Sequence, residues 1–230
     1  MRAFLRSLVA QVQSGDSYAI VLALLLASLL VGVVAPEEWW GHVLRDGVVA
    51  ATVVVAYWTA TARRAFLIPR VIVPSIAFAL VIVGAIEGAI TRGVAAAIGA
   101  ALAAGVGFLI ARDLFERGRV DVQTVLGALS LYVLVGFLFA SLFSLVAEIG
   151  DGPFFTSGED EGQQERLYFS FVALTTTGFG DLAPAGSVGR ALAALEIVLG
   201  QLYLVTVVAV LVTAAAGREL LRRGRRDPAD

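Results

Sequence analysis

The sequence predicts an all-α membrane protein with six transmembrane helices, a short re-entrant helix and an extended strand after it, and three observations carry that expectation. The chain is 59% hydrophobic, and its 16% charged residues fall well below the roughly 25% of soluble domains. Its uncharged runs repeatedly approach or exceed the ~18 residues that cross hydrocarbon. A short segment rich in threonine and glycine, TTTGFGD, lies between two of the longest apolar segments.

The apolar segments are Ser17–Ala35, Gly47–Ala62, Val71–Thr91, Gly93–Ala111, Val122–Ala147 and Ala191–Gly217. Nineteen helical residues rise ~28 Å, about the thickness of the bilayer core. The first segment follows Arg2 and Arg6, as a signal peptide would, but it is too long for such a peptide and Pro36 follows the candidate cleavage point. It is therefore expected to stay in the protein. Four domains follow: an N-terminal segment over 1–16, a four-helix membrane domain over 17–116, a pore domain over 117–217 and a basic tail over 218–230.

Arginine supplies all seventeen basic residues, and thirteen of them lie in alternate connections. These are Arg2 and Arg6; Arg63, Arg64 and Arg70; Arg112, Arg117 and Arg119; and Arg218, Arg222, Arg223, Arg225 and Arg226. Only Arg45, Arg92, Arg166 and Arg190 fall on the other side. The positive-inside rule then places both termini in the cytoplasm of a multi-pass cell-membrane protein. Trp39 and Trp40 fall at the outer interface, with His42 beside them as an interfacial residue rather than a ligand.

Several function classes are disfavoured. There is no cysteine, so disulfides and thiolate metal sites are excluded, and no asparagine, so no glycosylation sequon exists. A single histidine and no recognisable nucleophile or metal cluster argue against an enzyme. No cofactor and no nucleic-acid partner are expected. The fourth segment, GVAAAIGAALAAGVGFLIA, holds no arginine, whereas a voltage sensor needs charges within the membrane. Its small residues, like Gly84 and Gly88 in the third segment, suit close helix packing. Glu87 reads as a paired or snorkelling acid, with a pH or ligand sensor as the alternative.

The connection between the last two segments runs about forty residues and contains the apolar stretch Leu167–Leu174, too short to cross. A helix of ~10 residues reaches ~15 Å, about halfway, and the chain must then return. Irregular backbone at that depth is tolerated where it is buried in protein or lines a wet path. The returning segment is TTTGFGD. Successive carbonyls of an extended strand, ~3.3 Å apart, make a ladder of oxygens able to replace an ion's water shell. Aiming them one way requires alternate backbone handedness, which glycine adopts at little cost; this accounts for Gly178 and Gly180. One chain supplies one wall, and four around an axis close the site.

These residues resemble the pore module of tetrameric potassium channels. LYFSFVALTTTGFGDLAP matches the pore helix and filter, Gly189-Arg190 matches the opening of the inner helix, and EIVLGQLYLV places Gly200 at the family's hinge glycine. The resemblance covers roughly Val122–Gly217. It implies a homotetramer in which the carbonyls of Thr176, Thr177, Gly178 and Phe179, with the Thr176 hydroxyl, bind K⁺, while Gly180 shapes the outer mouth. Tyr168, Phe169, Thr175, Asp181 and Glu196 would support that filter, Asp181 by reaching the Tyr168 hydroxyl and Glu196 by facing the back of the pore helix. Gly200 would be a bend for opening, although glycine also serves packing. Thr177 replaces the usual Val or Ile; its side chain should face away from the axis with little effect on selectivity. Phe179 and Phe169 replace a hydrogen-bonded Tyr and Trp, which implies an apolar cuff and a filter that inactivates readily.

Seven acids from Glu148 to Asp181, among them Asp151, Glu159, Asp160, Glu161 and Glu165, either gather cations at the mouth or form a solvated loop. The basic tail either meets anionic lipid or anchors the topology. No cytoplasmic ligand-binding domain is expected. Two other functions remain: a non-selective cation channel on the same module, and a subunit of an ion-translocating transporter. The relatives that reuse this pore unit as transporters carry four copies in one chain, and here there is one.

Overall fold

The computed structural model describes residues 18–34, 39–61, 89–117, 121–158 and 162–224. They form helices α1 (Tyr18–Val34), α2 (Trp39–Thr61), α3 (Ala89–Arg117), α4 (Val122–Ile149), α5 (Gln163–Leu174) and α6 (Ser187–Gly224). Outside them lie Glu87, Gly84 and Gly88, the basic segments at 1–16 and 63–70, Glu159–Glu161, and the third apolar segment except for its last three residues, which open α3.

Among the described residues, three helices are long and apolar enough to cross a membrane: Arg92–Glu116, Val122–Ile149 and Ser187–Val207. Tyr18–Val34 and Gly47–Thr59 are shorter apolar helices. The helices outrun the uncharged segments. α3 carries Arg112 and Arg117 in its final turns, where Arg112 pairs with Glu116 at 3.0 Å, so these arginines extend a helix rather than form a connection. The reason is that hydropathy marks only the hydrocarbon, while a helix continues into the interface, where the Arg112 side chain is half exposed. Likewise α2 begins at Trp39, well before Gly47.

α4 begins where Asp121 caps it. The Asp121 carboxylate accepts from the Thr124 amide at 2.8 Å, and the Thr124 hydroxyl receives the Asp121 amide, satisfying two end donors at once. α4 is the centre of the fold and touches α1, α3, α5 and α6. One core joins Tyr18, Val21 and Leu25 of α1, Val53 and Ala56 of α2, Val106 and Ile110 of α3, and Val133 and Leu134 of α4. At the ends of this layer, Tyr18 donates its hydroxyl to Asp113 at 2.8 Å and Arg92 pairs with Glu148 at 2.9 Å.

A second core of Phe139, Phe143, Phe155, Phe169 and Ala193 locks α5 and α6 onto α4. α1 also reaches the short helix: Gly32 lies so close to Leu167 that a methyl there would collide with its side chain. The leading helices therefore pack on the pore region of their own chain.

Candidate functional site

The 12 residues of α5 span about 18 Å, too little to cross the ~30 Å core. The helix carries Glu165 in its first turn and ends with its carbonyls turned to the strand that follows. The amide of Thr175 donates to Phe171, that of Thr176 to Ala173 at 2.9 Å, and that of Thr177 to Val172 at 3.0 Å. Three free carbonyls at a helix C-terminus are thereby satisfied, and the start of the strand is tied to the helix.

Beyond that point the backbone alternates. Thr176, Gly178 and Gly180 have φ of 57°, 58° and 80°. Among the described residues nothing stands within 4 Å of a Cβ built on Gly178 or Gly180, so the backbone angle, not space, asks for glycine there. Thr176 takes the same left-handed angle without being glycine. A β-branched residue there is strained by about 1–3 kcal/mol, and such strain gathers at functional sites. Residues Thr175 through Asp181 are all exposed.

The outer end is held by two features. Tyr168 donates its hydroxyl to Asp181 at 2.9 Å. That hydrogen bond, with desolvation and the carboxylate charge behind it, raises the phenol above its ordinary pKa. The Phe179 ring stacks on Tyr168, with centroids 6.5 Å apart and planes 2° from parallel. Phe169 packs elsewhere in the chain, against Phe143 and Phe155 at 5.2 and 5.4 Å. Below Tyr168, the loop after α4 pairs with the segment after the strand: Thr156 donates to Ala183 and Ala185 to Phe154, each at 2.9 Å.

Behind α5, a buried polar cluster joins three helices. The Ser170 hydroxyl lies 2.7 Å from the Gly136 carbonyl of α4 and 2.6 Å from Glu196 Oε1 of α6. Glu196 is 0% exposed, and its Oε2 has no hydrogen-bond partner among the described residues. Gly136 admits Phe171, whose ring would stand 2.6 Å from a Cβ. Near the end of α5, Tyr132 donates to the Leu174 carbonyl at 3.0 Å and stacks obliquely on Tyr203 at 5.5 Å. Tyr203 in turn donates to the Ala128 carbonyl. Arg166, buried near the start of α5, donates to Ser144 at 3.1 Å.

Gly200 faces the same helix end. A methyl group on it would overlap the Leu174 carbonyl oxygen. That is a packing requirement, whichever way the helix bends.

The geometry thus places Thr175 and the Tyr168–Asp181 pair at the two ends of the strand Thr176–Gly180, sets Glu196 and Gly200 against α5 at Ser170 and Leu174, and turns Phe169 into the aromatic core. Ser170, Gly136, Tyr132 and Tyr203 had no role in the sequence reading. Their signal was present but faint: single polar or small residues at intervals in otherwise apolar helices.

Residues 128–216 match a family model described as ion channel. The match begins within α4 and ends in α6, so it contains the whole arrangement just described. It supports an ion-channel pore module in this stretch of a membrane protein. Neither the curated proteins nor the solved structures returned a match to the chain.

Proposed function

We propose that the protein is a potassium-selective channel, formed by four copies of the chain and conducting K⁺ passively across the cell membrane. The observation that carries this reading is the alternation of left-handed angles at Thr176, Gly178 and Gly180. Left-handed residues at every second position let successive carbonyls face one side, which ordinary extended strand does not do. The oxygens of Thr176, Thr177, Gly178 and Phe179, with the Thr176 hydroxyl, would then coordinate the ion, and Gly180 would form the mouth. The C-terminal end of α5 contributes its negative dipole end to a cation below the filter.

Tetramer formation is supported by what the single chain leaves uncovered. Leu195, Val198, Leu202 and Val205 of α6 are 50–60% exposed beside an exposed filter strand. Apolar residues beside bare filter backbone suit contact with further copies of the chain. On this reading the chain crosses six times with both termini cytoplasmic, its basic tail beside anionic lipid. Within α3 no arginine lies between Arg92 and Arg112, so the leading domain does not sense voltage through a charge ladder. The channel is not an enzyme and needs no cofactor beyond the K⁺ it conducts.

The test is purified protein in liposomes under opposed K⁺ and Na⁺ gradients. The expected reversal potential follows K⁺. A potential midway between the two ions would mean a non-selective cation channel, and a monomeric assembly would remove the basis of the reading.

A further inference from the structure

We propose that Thr177 is a positioning residue for the filter, acting through a hydroxyl relay that ends on the pore helix. The proposal rests on the reading of Thr176–Gly180 as a K⁺ filter. The relay is read from donor and acceptor counts. Thr175 Oγ1 lies 2.7 Å from the Phe171 carbonyl oxygen and 3.5 Å from that of Val172. It also lies 2.8 Å from Thr177 Oγ1. Carbonyls only accept, and a threonine hydroxyl has one hydrogen. The Thr175 hydrogen therefore goes to the helix end, and the Thr177 hydroxyl is the donor to Thr175. The order is Thr177 to Thr175 to Phe171.

The relay is the second of two ties on the same residue. The Thr177 amide already donates to the Val172 carbonyl at 3.0 Å. Backbone and side chain of Thr177 are thus both fastened to the last turn of α5, and Thr177 stands between two residues with left-handed angles, Thr176 and Gly178. A peptide in such a position leaves the conducting geometry by rotating, and rotation at Thr177 breaks the ties.

The sequence comparison gave this side chain little to do, because Val or Ile usually stands there and it points away from the axis. What differs here is the neighbourhood. Phe179 has no hydroxyl to offer, and Phe169 is committed to the core with Phe143 and Phe155. Side-chain hydrogen bonds therefore reach the filter at its outer end, from Tyr168 to Asp181, and at its inner end through Thr177. Valine carries a methyl group where threonine has its hydroxyl, so Thr177→Val removes the relay while keeping the branched shape.

The experiment compares full-length wild type, Thr177→Val and Thr177→Ser in phosphatidylethanolamine–phosphatidylglycerol vesicles. Two quantities are read: the decay of K⁺ current under a sustained gradient, and deuterium exchange of the amides over residues 172–178. Losing one neutral hydrogen bond should speed both by about fivefold in Thr177→Val. Thr177→Ser keeps a hydroxyl and should stay near wild type. The relay is overturned if Thr177→Val decays and exchanges like wild type, or if Thr177→Ser is as fast as Thr177→Val. A wild-type protein that passes no K⁺ would overturn the channel reading instead, and the exchange rates would still decide the relay.

Discussion

In the leading helices, hydroxyl side chains turn mostly back on their own helix: Ser28 to Leu24, Thr52 to Val48 and Thr59 to Val55, at 2.7–2.9 Å. In the pore module the hydroxyls of Ser130, Ser141, Ser144 and Thr206 also turn back on α4 and α6, but further side chains there cross between helices. Ser170 reaches Gly136 and Glu196, Tyr132 reaches Leu174, Tyr203 reaches Ala128 and Arg166 reaches Ser144. The leading layer has cross-links too, such as Ser28 to Thr52 at 2.8 Å, but its core is aliphatic contact around Val21, Leu25, Val106 and Ile110. Apolar packing is non-directional and tolerates small shifts. The line of carbonyls proposed for Thr176–Phe179 does not, and the polar contacts around α5 have the direction such a line requires. The contrast lies in the cross-links: side-chain hydrogen bonds between elements gather around α5, while the leading helices meet mostly through apolar contact.

The comparison breaks most severely at the backbone of the strand Thr176–Gly180. Gly178→Ala puts a Cβ on a residue with φ of 58°. The cost is about 1–2 kcal/mol per chain, repeated in every copy, and the expected outcome is loss of K⁺ selectivity in the reversal potential.

Gly200→Ala comes next. Its methyl overlaps the Leu174 carbonyl, and overpacking of this kind costs about 1–3 kcal/mol. The expected result is a lower unfolding temperature together with altered selectivity. A change in open probability alone, with selectivity and stability intact, would favour the hinge role and weaken the packing role.

Glu196→Ala should follow, at about 1–3 kcal/mol, because the buried Ser170 hydroxyl loses one partner and a cavity opens. Glu196→Gln keeps a side-chain oxygen at that position and should unfold closer to wild type. Equal unfolding temperatures for the two variants would show that the bond to Ser170 contributes nothing.

Tyr168→Phe should have a smaller effect, since the bond to Asp181 is exposed; faster current decay at unchanged selectivity is expected. Its pH dependence has a definite sign. A phenol whose folded pKa is raised contributes fully below the ordinary tyrosine value of ~10 and loses that contribution as pH rises through the higher folded value. Decay rates of wild type and Tyr168→Phe should thus differ by a constant factor from pH 6 to 9 and converge only in strong alkali. The smallest effect is expected in the leading layer, where Thr52→Val should shift the unfolding temperature by the equivalent of about 1 kcal/mol and leave the K⁺ reversal potential in place.

Much of this was legible in the chain because its causes are local. Apolar length marks a helix wherever it lies, so the longer uncharged runs map onto α1, α3, α4 and α6, each within a few residues at one end or the other. Gly178 and Gly180 could be read from the need for left-handed angles, which is a property of single residues. Thr176 was named as a ligand, but its own left-handed angle was not foreseen, because threonine carries no preference for it. Helix ends were misjudged where arginines extend α3, since charge stops a hydropathy count without stopping a helix.

The sequence by itself therefore determined the apolar helices, the half-length helix and the glycine-punctuated strand that follows it. Tertiary structure alone decided that Glu196 meets Ser170, that Gly200 lies against Leu174, that Phe169 turns into the core and that α1 rests on α5 of its own chain. Those contacts join residues up to 135 positions apart (Gly32 to Leu167). Which face of one helix meets which face of another depends on how the whole set packs, and no local preference encodes it.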